Sequence, residues 1–256
     1  TKADTSILDH VVVKYAGTGV RADSSKLSIT NSTISDNSGQ GVWLYGSSGS
    51  IVGNTISDNG GSGIYVVESR GVISGNTVRD NHGIGIDIVS SSFEVSDNII
   101  RGNNSWAMRF NPCSTYQRVS GNTINQVMGI YLWSGTITGD VVWDQDAVYV
   151  CENIVVAQGV KLTIAPGRVI KFVKYWPYTK GLDVRGRLIA DGTEDKPIVF
   201  TSLLDDSYGG DTNGDGGKTS PSKGDWAGLR FTKADTSILD HVVVKYAGTG
   251  VRADSS

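Results

Sequence analysis

The chain is poor in the residues that usually signal a one-pocket enzyme or a membrane protein. It has only two cysteines, Cys113 and Cys151, among 256 residues, too few and too far apart for a zinc site. At 38 residues apart they fit equally a disulfide bracing a junction and two free thiols. Proline occurs five times and no apolar run is long enough for a membrane-spanning helix, so membrane insertion is not expected. Lys plus Arg is 23 against 26 Asp plus Glu, a net charge of −3. No basic stripe is available to release counterions, which argues against a nucleic-acid partner. The three histidines, His10, His82 and His241, offer no triad, because His241 repeats His10.

What is abundant is repetition. Residues 1–25, TKADTSILDHVVVKYAGTGVRADSS, return letter for letter as 232–256, a period of 231 residues. The chain therefore reads as a window on a near-identical tandem repeat, or as a circular permutant with overlapping ends. No signal peptide opens it, as expected of a stretch that begins inside a repeat.

A shorter period lies inside the first. One column runs Ser32, Asn54, Asn76, Asn98 and, after a longer step, Asn122, with His10 one step before Ser32. Others run Asn37, Asn59, Asn81, Asn103 and Gly19, Gly41, Gly63, Gly85, Ala107, Gly129. A fixed step of about 22 residues marks a stacked-repeat architecture. Each step holds short β-branched runs such as Val42-Trp43-Leu44 and Ile64-Tyr65-Val66 between Gly, Asn, Ser and Asp breakers. Nothing repeats at helical spacing. The expectation is an all-β parallel solenoid, each rung pairing only with its neighbours. About ten rungs per unit at about 4.8 Å advance the axis by roughly 50 Å. Buried Asn columns would form amide ladders, with the Asn also supplying the left-handed backbone at the corners.

Residues 141–231 differ in character. The segments LTIAPGRVIKF, GRLIADGT, PIVFTS and GDWAGLRF (Leu162–Phe172, Gly186–Thr193, Pro197–Ser202, Gly224–Phe231) resemble the opening coils of right-handed parallel β-helix domains in large secreted prokaryotic surface proteins. The rungs at 26–132 resemble the pectate-lyase-like β-helix repeat that follows such coils. The resemblance implies a right-handed parallel β-helix, with 1–140 the later coils of one unit and 141–256 the opening coils of the next. It also implies an extracellular or cell-surface location. Function is not implied, because the superfamily includes lyases, epimerases, adhesins and inert stalks.

One motif carries ligand chemistry. In DTNGDG (211–216), Asp211, Asn213 and Asp215 alternate, Gly214 and Gly216 let the backbone curl, and Asp205 and Asp206 precede them. Hard oxygen ligands at this spacing point to calcium in a structural role. The flanks are not helical and Ser222 stands where an EF-hand has glutamate, so this is not an EF-hand; the plain alternative is a solvated Gly-Asp loop. Asp36, Asp58 and Asp80 recur on successive rungs, which suits a corner rather than catalysis. Asp87 and Arg109, one rung apart, form the best isolated acid–base couple, and Trp43, Tyr65 and Tyr131 suit packing or a short outward ladder better than a sugar platform.

The reading is a non-enzymatic structural or adhesive filament that self-associates end to end, with surface polysaccharide a further partner. The alternative is a calcium-dependent carbohydrate-active enzyme of the polysaccharide-lyase kind.

Overall fold

The computed structural model describes residues 5–111, 118–174 and 181–254. They are all-β, with no helix among them. Two compact units are present, residues 1–126 and 127–256.

The first unit is a parallel solenoid of three-strand coils, with 17 described strands: five complete coils and two strands of a sixth. One sheet stacks Ser6–Asp9, Lys26–Thr30, Ser48–Val52, Arg70–Ser74, Ser92–Ser96 and Arg118–Ser120. The second runs from Val12–Lys14 to Thr123–Asn125, and the third from Val20–Asp23 through Val42–Tyr45, Ile64–Val67 and Ile86–Val89 to Met108–Phe110. Every pairing is parallel, and most residues face the residue 22 positions on, as Val42 faces Ile64 and Ile64 faces Ile86. In-register stacking buries like on like. Ile29, Ile51, Ile73 and Val95 form one fully buried column, and Ile34, Ile56, Val78 and Ile100 another. At 22 residues a coil, alternate strand positions point inward on every rung, so the core is a set of such columns.

The corners explain the Gly, Asn and Ser content. In the central coils the corners, short and long, begin with a left-handed residue followed by a ladder residue. Asn31, Gly53, Gly75 and Asp97 hold the left-handed position before Ser32, Asn54, Asn76 and Asn98. Asp36, Asp58 and Asp80 hold it before Asn37, Asn59 and Asn81. The ladders form as expected: Asn54 Nδ2 donates to Asn76 Oδ1 at 3.0 Å, and Asn76 Nδ2 to Asn98 Oδ1 at 2.9 Å. The same oxygens also accept the main-chain N–H of the preceding rung's Asn. One expectation is corrected. The ladder Asn does not adopt the left-handed backbone; its predecessor does, leaving the Asn free to turn inward. His10 is corrected likewise: its φ of 54° puts it in the Asn31 column, and Val11, not His10, meets Ser32, donating its N–H to Ser32 Oγ at 3.1 Å. The glycine column marks close approach. A Cβ at Gly41 would lie 2.7 Å from Gly63 O and 2.9 Å from Asn59 Nδ2.

The second unit is also a three-sided parallel solenoid. Its faces run from Ile130–Leu132 to Val242–Val244, from Gly135–Ile137 to Val251–Asp254, and from Val141–Trp143 to Ile238–Asp240. Aromatic stacks join its core: Phe172 lies 4.2 Å from Trp226, nearly parallel, and Trp143 lies 5.2 Å from Tyr149. Cys151 is a fully buried free thiol, and burial pushes its pKa up; Cys113 lies outside the described residues.

Candidate functional site

The acidic loop is a 26-residue excursion, 203–228, between Ile198–Ser202 and Leu229–Thr232. Glycines at 209, 210, 214, 216 and 217 all take positive φ, which lets the chain coil back on itself. That coiling brings Asp206, Asp211 and Asp215 together, with one carboxylate oxygen of each within 4.8 Å of the others. Asp211 accepts the N–H groups of Asp215 at 3.1 Å and Gly216 at 2.7 Å. Asp215 accepts Lys218 N–H at 2.9 Å, Asn213 Nδ2 at 2.9 Å and both the N–H and the hydroxyl of Thr219. Led by the Thr219 hydroxyl, these bonds hold the Asp215 carboxyl below the usual range.

Three oxygens in this loop, Asp206 Oδ1, Asn213 Oδ1 and Asp225 Oδ1, are buried without a hydrogen bond, and of these Asp225 Oδ1 lies 2.8 Å from the Lys174 ammonium. A buried acceptor without a donor is costly, and a hard cation is what such oxygens lack. Asp206, Asp211 and Asp215, each offering one carboxylate oxygen, are the residues that could hold a hard cation such as calcium. Asp205 stands apart from the set proposed on sequence. It is buried, accepts the Thr201 hydroxyl at 2.6 Å and the Ser207 hydroxyl, and lies 3.4 Å from Lys245 Nζ. Burial raises its pKa, but the Ser207 and Thr201 bonds outweigh this and leave it lowered.

Sequence reasoning missed Lys171. It alternates with the inward Ile170 and Phe172, so it should face solvent, yet the loop covers it completely. Its ammonium donates to Gly210 O at 2.7 Å and Thr212 Oγ1 at 2.8 Å, pinning the loop to the solenoid wall. Burial lowers the Lys171 pKa, while Asp206, Asp205 and Asp211 pull it back.

A second outward feature lies in the first unit. Arg21, Trp43, Tyr65, Asp87 and Arg109 are register partners on the third sheet. The Arg21 guanidinium sits 4.1 Å from the Trp43 ring centroid, and Trp43 lies 5.9 Å from Tyr65, so the aromatics form a short outward ladder. Arg109 grips Asp87 with both arms, at 2.9 and 2.6 Å. Burial pushes the Asp87 carboxyl up, and the guanidinium opposes it. Tyr131, in the second unit, donates to Glu152 Oε1 at 2.8 Å.

A polar trough of about 660 Å³ opens at another corner of the first unit, lined by Ser24, Lys26, Glu68, Arg70, Ser90 and Asn111 among others. Its floor is a third ladder. Ser25, Ser47 and Ser69 each donate a main-chain N–H to the hydroxyl of the serine 22 residues on. The signal was present in the sequence as serine at the same step.

The right-handed β-helix region model matches residues 2–143. The chain belongs to this right-handed β-helix family. A pectate-lyase-like β-helix domain model matches residues 135–254. No curated protein and no solved structure gives a significant match. Within a right-handed β-helix the acidic loop is an insertion at one corner, and the Arg21–Arg109 column and the serine trough are repeated surfaces of the coils.

Proposed function

We propose that this β-helix is a segment of a non-enzymatic structural or adhesive filament outside the cell, built from 231-residue repeats joined covalently or end to end. The observation that carries the reading is the duplicated coil. In its first copy, Ser6–Asp9 pairs with Lys26–Thr30, the coil that follows it. In its second copy, Ile238–Asp240 pairs with Arg187–Asp191, the coil that precedes it. One coil sequence thus serves both a following and a preceding neighbour, which is what a repeat running into its own next copy needs. Both copies take the same local shape: His10 and His241 have φ 54° and 46°, Tyr15 and Tyr246 58° and 61°. Contacts of this head-to-tail kind do not close on themselves and generate fibres. Concentrated protein is expected to give straight thin fibres in electron micrographs; particles that stay monomeric at all concentrations would remove end-to-end assembly.

The enzyme reading has less support, because the best acid–base couple is an ion pair. Both Asp87 oxygens are held by Arg109, which leaves that carboxylate poorly placed to transfer a proton. The serine trough with Lys26 and Arg70 suits a hydroxyl-rich or acidic surface polysaccharide as the adhesive target.

Calcium belongs to this reading as a clip on the excursion. Calcium titration is expected to release heat at millimolar concentration or below and to protect 203–224 from protease, with the rungs unchanged. Titration without heat, or protection spread over the whole chain, would remove the clip.

A further inference from the structure

We infer that the wall of the second unit that holds residues 232–254 is a docking site for residues 5–25 of a second copy of this chain. The inference rests on the self-association proposed above and names the surface and the segment that carry it.

The slot is defined by what fills it. Ile238–Asp240 lies on Arg187–Asp191, Val242–Val244 on Ile198–Ser202 and Val251–Asp254 on Leu229–Thr232. On the inward side Leu239 meets Ala190 and Val244 meets Phe200. The returning end of the acidic excursion then closes on the corner that follows. Asp225 N–H donates to Tyr246 O at 3.0 Å, and Gly248 N–H to Trp226 O at 2.7 Å. Lys245 Nζ lies 3.4 Å from Asp205 and 4.8 Å from the Tyr208 ring centroid, and Arg230 pairs with Asp254 at 2.7 Å.

Residues 5–25 carry the same side chains in the same order, and their corners at His10 and Tyr15 take the same left-handed turn as His241 and Tyr246. Within the first unit they use the opposite edge. Among the described residues Ser6–Asp9, Val12–Lys14 and Val20–Asp23 each pair on one side, with Lys26–Thr30, Thr33–Ser35 and Val42–Tyr45. A strand edge left open in this way recruits another strand.

Neither copy is fully covered, and the two gaps are complementary. The first copy buries Val20 and Ala22 but leaves Val12 exposed and Tyr15 81% exposed. In the second copy Val243 and Tyr246 are half-buried, whereas Val251 is 50% exposed and Ala253 is exposed as well. A first copy seated in the slot keeps its contacts with the coil that follows it and gains those of the wall, so one coil is covered on both edges. The charges agree. Lys14, paired with Asp36 at 3.1 Å, gains Asp205 of the receiving chain, as Lys245 has it. Asp23, held by Arg21 at 2.8 Å, gains Arg230 of the receiving chain, as Asp254 has it.

The exchange trades identical contacts for identical contacts, and domain swapping of this kind is a low-cost route to assembly. Tethering favours the chain's own residues 232–254 in dilute solution, so docking rises with protein concentration. Stacking the first copy directly on the open edge of the second is the competing mode. In register it sets Asp9 on Asp240, Lys14 on Lys245, Arg21 on Arg252 and Asp23 on Asp254. Like charges directly opposite one another destabilise a sheet, which favours the slot.

Disulfide trapping in the full chain, with Cys113→Ser, tests this. Ile189 and Ile238 are register partners on the outer face, about 4.8 Å apart as neighbouring strands are, within the reach of a disulfide. Ile7 is the counterpart of Ile238 in the first copy. Oxidation of Ile7→Cys/Ile189→Cys is expected to give dimers and longer covalent chains, in a yield that rises with protein concentration. Oxidation of Ile189→Cys/Ile238→Cys is expected to give an internally bonded monomer whose slot is locked, which forms no fibres until it is reduced. Closure of the second pair without intermolecular product from the first would overturn the docking. Fibres from the locked protein would also overturn it while leaving the filament in place, so the two readings fail separately.

Discussion

Replacing Trp226 by alanine is expected to destabilise the second unit by about 3–5 kcal/mol, the range for large aromatic truncations in a core. Trp226 is fully buried, stacks face to face on Phe172 at 4.2 Å, and donates its indole N–H to Lys245 O at 2.8 Å. It stands where the excursion returns to the solenoid and where the next coil lands. Its removal opens a cavity and strands the Lys245 carbonyl. In a stacked-repeat protein each coil touches only its neighbours, so the damage should be local. Hydrogen exchange should show lost protection across 198–254 with 26–110 unchanged. A shift of the denaturation midpoint corresponding to less than about 1 kcal/mol would mean that Trp226 does not anchor the coil.

The second large effect is expected at Asn76. Its Oδ1 accepts both the N–H and the Nδ2 of Asn54, its Nδ2 donates to Ile51 O at 2.8 Å and Asn98 Oδ1 at 2.9 Å, and the residue is 1% exposed. Asn76→Ala leaves several buried groups without partners at once, costing about 3 kcal/mol. Asn76→Ser should recover part of the loss, because Ser32 fills the same column and its hydroxyl accepts the Val11 N–H. Equal stability of wild type and Asn76→Ala under urea would contradict a working ladder.

These two residues show how unevenly the sequence reveals the molecule. Asn76 was legible because its role repeats: every 22 residues the same amide meets the same amide, so periodicity alone locates it. The glycine column was legible for the same reason. The left-handed residue before each ladder Asn was harder to see, since Asn31, Gly53 and Asp97 share a backbone shape and no side-chain chemistry. Trp226 and Lys171 owe their burial to a loop that occurs once. Nothing in VIKF marks Lys171 as covered; only the path of 203–228 decides it. Asp205 looked equivalent to Asp206 in the sequence. Yet Asp205 turns to Thr201 and Ser207 while its neighbour joins the acidic cluster, because adjacent side chains on an irregular loop face different ways.

The central claim is that repeats continue into one another as a single parallel solenoid. X-ray diffraction from aligned fibres tests it most directly. A continuous solenoid places every strand across the fibre axis and predicts a meridional reflection at about 4.8 Å, with a long axial spacing near one repeat, roughly 50 Å. Fibres lacking the meridional 4.8 Å reflection, or carrying it only on the equator, would show units joined side by side rather than coil on coil, and would contradict the account.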